Sequence, residues 1–482
     1  MVFSSVPFLF MFLPLALAVY YVLPRRFQNL FILISALFFY AWGEPKYIVV
    51  MLFSIQIDYF AGIMMWKYDR NDKVRKIALL VSVIMNIALL GLFKYGIFVT
   101  DNLNALGIFG TDLSYPIFKI GSFEIPIRAL PPIGMSFFTF QSMSYTIDLY
   151  KRKIEVQKNP ITFAAFVTLF PQLVAGPIVR YSDIAAELEN RKISLSMTYD
   201  GIMLFITGMG KKVLIANNIG ALWSQVKLME LGELSVLTAW LGIIAFTFQI
   251  YFDFSGYSDM AIGLGKMLGF NFPQNFNYPY ISKDISEFWR RWHMTLGNWF
   301  KSYVYFPLGG SRKGLRRTVF NLAVVWLLTG IWHGASWNFI VWGCFYGLII
   351  IAEKAFLGKF IVKLPGFIRS GYVMLLVILG WVLFDTANLP TAFGYMGVMF
   401  GIGGNGVLFD NVSHYALLNY SVILLLCVFA CTNLWRRVYD RLYPKIPVFF
   451  NYGGVLYQAV IFVFVIAYLV DAGYNPFLYF NF

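Results

Sequence analysis

Apolar runs long enough to cross a bilayer follow one another along nearly the whole chain, and no other feature constrains its fold as strongly. A spanning helix needs about 20 apolar residues. Candidate segments lie at 6–23, 29–43, 47–66, 77–99, 130–149, 160–179, 198–220, 235–269, 318–334, 336–352, 370–386, 414–434 and 453–472. Between them only 13% of the 482 residues are charged, where a soluble globular chain carries about a quarter. A soluble enzyme, a disordered chain and a nucleic-acid-binding domain are therefore excluded, despite a net charge of +14.

The expected fold is all-α: a polytopic membrane bundle of 11–13 segments, treated as one domain over 1–482. Met1 to Ser5 carries no basic side chain, and Arg25-Arg26 follow the first apolar run. That order of charges is the reverse of a signal peptide, so the first segment reads as a retained span. Two segments are expected to break and re-enter. The first contains Pro171, Gly176 and Pro177, and the second Gly330 and Gly334. Irregular backbone at membrane depth is tolerated only where protein or a cavity satisfies it.

The basic residues set an expected orientation. Arg25/Arg26, the loops around Lys67–Lys76 and Lys151–Lys158, and the groups Arg312/Lys313/Arg316/Arg317, Lys354–Arg369 and Arg436–Lys445 hold most of them. The stretches 100–125, 387–413 and 473–482 hold few. By the positive-inside rule the basic loops face the cytoplasm, which places both termini outside the plasma membrane. Cys344, Cys427 and Cys431 lie in apolar runs, with neither a disulfide framework nor metal-ligand spacing, and no metal site is expected.

The chain has only three histidines. His333 stands in Thr329-Gly330-Ile331-Trp332-His333-Gly334-Ala335-Ser336-Trp337, deep in an apolar run, where an ionisable group is costly and suggests function. A structural histidine hydrogen-bonded to a neighbouring helix is the plainer reading, and the flanking glycines favour a site. A neutral imidazole there suits a general base. His293 follows Glu287-Phe288-Trp289-Arg290-Arg291-Trp292. Ile281, Ile285, Phe288, Trp289 and Trp292 recur at helical spacing, so 281–317 reads as a cytoplasmic interfacial segment opening on an amphipathic helix. His414 precedes a span and reads as incidental. Two acids, Asp253 and Asp259, interrupt another apolar stretch, and Pro307-Leu308-Gly309-Gly310-Ser311-Arg312 is a weak phosphate-holding loop. Serine-elbow, P-loop and H-E-x-x-H motifs are absent from the sequence, and no G-x-G-x-x-G opens a helix after a strand.

The ordered segments FPQLVAGPIVRY, YFDFSGYSDMAIGLG, WRRWHMTLGNWF, YFPLGGSR and TGIWHGASW resemble the membrane-bound O-acyltransferases (MBOAT), within them the bacterial alginate O-acetyltransferase branch. The resemblance implies a helical bundle around a central tunnel. It implies acyl transfer, here of an acetyl group, from a cytoplasmic thioester such as acetyl-CoA or an acyl carrier protein, towards O-acetylation of a cell-surface or extracellular polysaccharide. An extracytoplasmic polysaccharide-modifying acetyltransferase is the implied partner. It assigns catalysis to His333 and His293, with Arg290, Arg291 and Arg312 as candidate donor-binding groups. The aromatic tail 473–482, expected outside, resembles the C-terminal motif of a small accessory protein in teichoic-acid D-alanylation. Tyr479 is thus a candidate acyl relay, with an interfacial anchor as the plainer reading. D-alanyl transfer to teichoic acid from a carrier protein, and a non-enzymatic transporter or flippase, are the rival functions.

Overall fold

A computed structural model describes residues 1–107, 117–120, 123–126, 132–471 and 478. Among these the chain is helical except for one antiparallel hairpin, β1 (Ile117–Ile120) and β2 (Phe123–Pro126). The helices are α1 (Phe8–Val22), α2 (Arg25–Gly43), α3 (Ile48–Lys67), α4 (Asp72–Ala105), α5 (Met135–Tyr150), α6 (Pro160–Thr168), α7 (Phe170–Leu173), α8 (Tyr181–Glu189), α9 (Leu195–Lys227) and α10 (Val236–Met267). After two short helices, α11 (Ile285–Arg291) and α12 (Met294–Phe300), come α13 (Gly314–His333), α14 (Trp337–Ile361), α15 (Gly366–Asp385), α16 (Leu389–Met399), α17 (Asn411–Ala430), α18 (Leu434–Leu442) and α19 (Pro447–Asp471). Among the described residues each expected span overlaps helix, although 174–179 of the 160–179 run are not helical. Eight helices, α3, α4, α9, α10, α14, α15, α17 and α19, are long and apolar enough to cross a bilayer. The protein is a multi-pass membrane protein.

Both expected breaks occur. Leu169 leaves helical geometry (φ −46°, ψ 105°) between α6 and α7, and Pro171 then starts a new turn because it needs no amide partner there. Gly334 is fully extended (φ −171°, ψ 162°), and α14 restarts with the Ser336 side chain accepting the Asn338 N–H at 3.2 Å.

The chain forms two compact units, Met1–Phe205 with Met260–Pro273, and Ile206–Asp259 with Gln274–Leu478. In the first, α3, α4 and α5 pack around a buried polar layer. The Asp58 carboxylate accepts from Ser82 Oγ at 2.5 Å and Asn86 Nδ2 at 2.9 Å, and Ser54 donates to Asn86 Oδ1 at 2.7 Å. Such a satisfied network fixes which helix faces meet. Arg75 caps α5 by donating to the carbonyls of Leu149 (3.0 Å) and Tyr150 (2.9 Å) while pairing with Asp69 at 2.6 Å.

In the second unit, α13 and α14 form a tight hairpin. A Cβ on Gly343 would stand 2.5 Å from the Trp326 carbonyl and 2.9 Å from Gly330 Cα, so both glycines are needed for the crossing. A π-helical turn of α9, Gly210–Ala216, carries Lys212, which pairs with Asp253 of α10 at 2.6 Å; both side chains are buried.

The 281–317 segment differs from expectation. It is not one amphipathic helix on a membrane surface: α11 and α12 are separated at Trp292 and His293, and Ile285, Phe288 and Trp292 are buried in protein. The break follows from His293, whose backbone is left-handed (φ 43°, ψ 53°), a geometry that ends an α-helix and that residue spacing does not reveal. The apolar face is covered by aromatic rings instead of lipid. Trp289 packs on Trp326, Trp342 and Tyr346, and Trp292 on Phe276 and Trp381.

Candidate active site

His333 is the last residue of α13 and is buried. Three aromatic side chains wall its ring. Trp342 of α14 lies edge-on at 4.9 Å between centroids, Phe384 of α15 edge-on at 5.2 Å, and Phe339 parallel at 6.4 Å. Gly334 permits this arrangement, since a Cβ there would run into the Phe339 ring. The neighbouring Trp332 ring stands 5.0 Å from His333 and 6.1 Å from His293, so one indole touches both imidazoles. The two histidines singled out in the sequence thus come together in one unit.

His293 is held by polar contacts. The coil 274–277 runs beside the 291–295 turn: the Asn277 N–H donates to the Arg291 carbonyl and the Met294 N–H to the Asn275 carbonyl, both at 2.9 Å. Asn275 Oδ1 accepts from the Thr295 N–H (3.3 Å) and the Thr295 hydroxyl (2.9 Å), and lies 3.0 Å from His293 Nδ1. Asn275 Nδ2 donates to Ser258 Oγ of α10 at 2.9 Å. Phe254, one turn earlier on α10, meets the His293 ring edge-on at 4.7 Å. Burial pushes the pKa of His293 down to about 3, so the imidazole is neutral across the physiological range. Glu353 of α14 holds the start of α11, its carboxylate accepting the Ile285 N–H at 2.9 Å and the Ser286 N–H at 3.3 Å. The sequence alone did not point to Asn275, Thr295 or Glu353.

The arginines are not gathered at the histidines. Arg291 is engaged within its own segment, donating to Glu287 Oε1 at 2.9 Å, the pair expected at this i,i+4 spacing, and to the Asn277 carbonyl at 3.0 Å. Arg290 reaches Asp284 at 3.8 Å. Arg312 is exposed in the turn before α13. That turn does not offer a backbone phosphate cradle: the N–H groups of Gly309 and Gly310 already donate to the carbonyls of Phe306 (2.9 Å) and Tyr305 (3.0 Å). Asn321 and Arg317 of α13 hold the turn by its carbonyls, donating to Gly310 and Leu308.

The two acids in the apolar stretch of α10 have partners. Asp259 pairs with Lys211 at 2.6 Å near the surface. Asp253, paired with Lys212, also accepts the backbone N–H of Leu478 at 3.1 Å. Leu478 is itself buried. Tyr479 lies outside the described residues, as does the rest of the tail. Among the described residues no cluster of His, Cys, Asp or Glu could hold a metal ion.

Chemically, the arrangement offers two buried imidazoles joined by an indole, walled by rings that exclude water. It suits proton transfer and hydrogen bonding to an apolar thioester and a hydroxyl. The model of the membrane-bound O-acyltransferase family, MBOAT, matches residues 149–377. The chain is 37% identical over 507 residues to a probable alginate O-acetylase, AlgI, of Pseudomonas putida, covering 100% of both. It is 34% identical over 439 residues to a peptidoglycan O-acetyltransferase of Helicobacter pylori, covering 84% of this chain and 80% of that one. A teichoic acid D-alanyltransferase of Streptococcus thermophilus is 29% identical over 240 residues, covering 47% of this chain and 58% of that one.

Proposed function

This chain belongs to the membrane-bound O-acyltransferase family, and we propose that it passes an acetyl group from a cytoplasmic thioester across the membrane for O-acetylation of an extracellular polysaccharide. It is an acyltransferase, and it needs an acyl donor. Acetyl-CoA is the donor this reading favours, with the plasma membrane of a bacterium as its location and both termini outside. Similarity along the full length to a probable alginate O-acetylase, against partial coverage by a D-alanyltransferase, supports acetyl over D-alanyl transfer. An extracytoplasmic acetyltransferase would receive the group and complete the modification.

The observation that carries the mechanism is the burial of His333 at a helix end among three rings. In the proposed step His333 takes the proton of the acceptor hydroxyl as its oxygen attacks the thioester carbonyl. The C–S bond then breaks, the new ester C–O bond remains, and the proton passes to the departing thiolate. His293 orients the thioester arm next to it across Trp332. Arg290 and Arg312 are left as candidate contacts for a phosphorylated donor.

A general base contributes about 10²–10⁴-fold. His333→Ala should therefore lower polysaccharide acetyl content in cells by about that factor while the protein still reaches the membrane. The exposed His414 replaced by alanine is the control. Full acetylation with His333→Ala would refute the assignment.

A further inference from the structure

Asn275 faces His293 through an atom whose identity the backbone dictates. The Thr295 main-chain nitrogen can only donate, and it points at the same Asn275 atom as the Thr295 hydroxyl and His293 Nδ1. That atom must therefore be the amide oxygen, and an oxygen of this kind only accepts. His293 Nδ1 must then carry the hydrogen. In a neutral imidazole the other nitrogen, Nε2, is left with a lone pair. The Thr295 N–H excludes the flipped amide, which would turn an N–H group towards it, and in the orientation it selects the amide nitrogen donates to Ser258 Oγ at 2.9 Å.

We propose that Asn275 is a positioning residue that locks His293 in the Nδ1–H tautomer, so that Nε2 meets the substrates as a hydrogen-bond acceptor. This rests on the reading that His293 belongs to the active site, and it narrows what His293 does there. A lone pair at Nε2 accepts a proton or an N–H or O–H hydrogen, such as an amide N–H of the thioester arm. It does not donate to a developing oxyanion, which leaves that task to other groups. Thr295 completes the lock, because its N–H and hydroxyl hold the amide oxygen in place. Burial reinforces the arrangement by keeping the ring neutral. The neighbours described around the ring, Phe254 of α10, Trp332 of α13 and Asn275, are all uncharged.

The test is nitrogen NMR of the full-length protein labelled with 15N-histidine, combined with transfer assays from a labelled acetyl thioester. With three histidines in the chain, His293→Gln assigns the signal by its loss. The wild type should show protonated Nδ1 and unprotonated Nε2 from roughly pH 5 to 8. Asn275→Leu should give a mixture of tautomers and lower turnover by at least about tenfold. Asn275→Asp keeps an acceptor and should restore the Nδ1–H signature. It also places a carboxylate beside the ring, which favours the protonated imidazole, so activity should fall off at a higher pH on the acidic side than in the wild type. An Asn275→Leu protein with the wild-type signature and turnover would overturn the proposal. If that variant does not fold, an Asn275→Asp profile identical to the wild type would overturn it. His293→Gln separates the two levels. Full turnover with His293→Gln sinks the site assignment of His293, whereas loss of turnover there with none in Asn275→Leu sinks only the role of Asn275.

Discussion

His293 and His333 touch the same indole, yet one is held by hydrogen bonds from a coil and the other by rings from three helices. The coil fixes direction: Asn275 decides which nitrogen of His293 bears the hydrogen, and a strained backbone aims the ring. The helices fix surroundings: Trp342, Phe384 and Phe339 surround His333 with apolar surface, and two glycines let its helical hairpin close. A membrane-embedded site thus obtains polarity from a short irregular segment and dryness from its spans. The same division recurs nearby. Phe254, which contacts His293, follows Asp253, whose charge is matched by Lys212 and which also accepts the Leu478 N–H.

The largest effect should come from breaking the polar side. Lys212→Met leaves Asp253 buried without its cation and should cost about 3–5 kcal/mol, read as a lower midpoint of thermal unfolding in detergent. Replacing Lys212 by Met and Asp253 by Leu together should recover most of that loss. A single variant as stable as the double one would mean that the pair contributes nothing. Next comes the apolar side. Gly343→Val drives a side chain into Gly330 and the Trp326 carbonyl and should cost about 1–3 kcal/mol, with activity falling because His333 ends the displaced helix. Unchanged stability and activity would show that the hairpin crossing does not support the site.

The effect that is smallest at neutral pH, and that grows only in acid, is a pH slope. Unfolded, His293 takes up its proton near the ordinary value of about 6.5; folded, it does so only near 3. The unfolded state therefore binds a proton first, and stability should fall as pH drops from about 6.5 towards 3. His293→Gln should flatten that slope. An equal slope in both proteins would assign it to other groups.

The sequence made the spans legible because an apolar run of bilayer length has few alternatives, and His333 because an ionisable group in such a run is conspicuous. The glycines around it signalled the break at Gly334. The His293 pocket was only half legible. The periodicity of 281–292 was real, but it described a face buried in protein, and nothing in residue spacing marks a histidine with positive φ. Asn275 sits among other asparagines and aromatics in 271–280, and only folding reveals which of them reaches His293. Lys212 does carry a signal in the sequence, a cation inside an apolar segment.

The most direct test places a radiolabelled acetyl thioester outside inverted membrane vesicles, where the cytoplasmic face is exposed, with polysaccharide acceptor trapped within. Label should appear on the trapped acceptor with the native protein and fall by about 10²–10⁴-fold with His333→Ala at equal protein levels. Equal labelling by the two proteins would contradict the role assigned to His333.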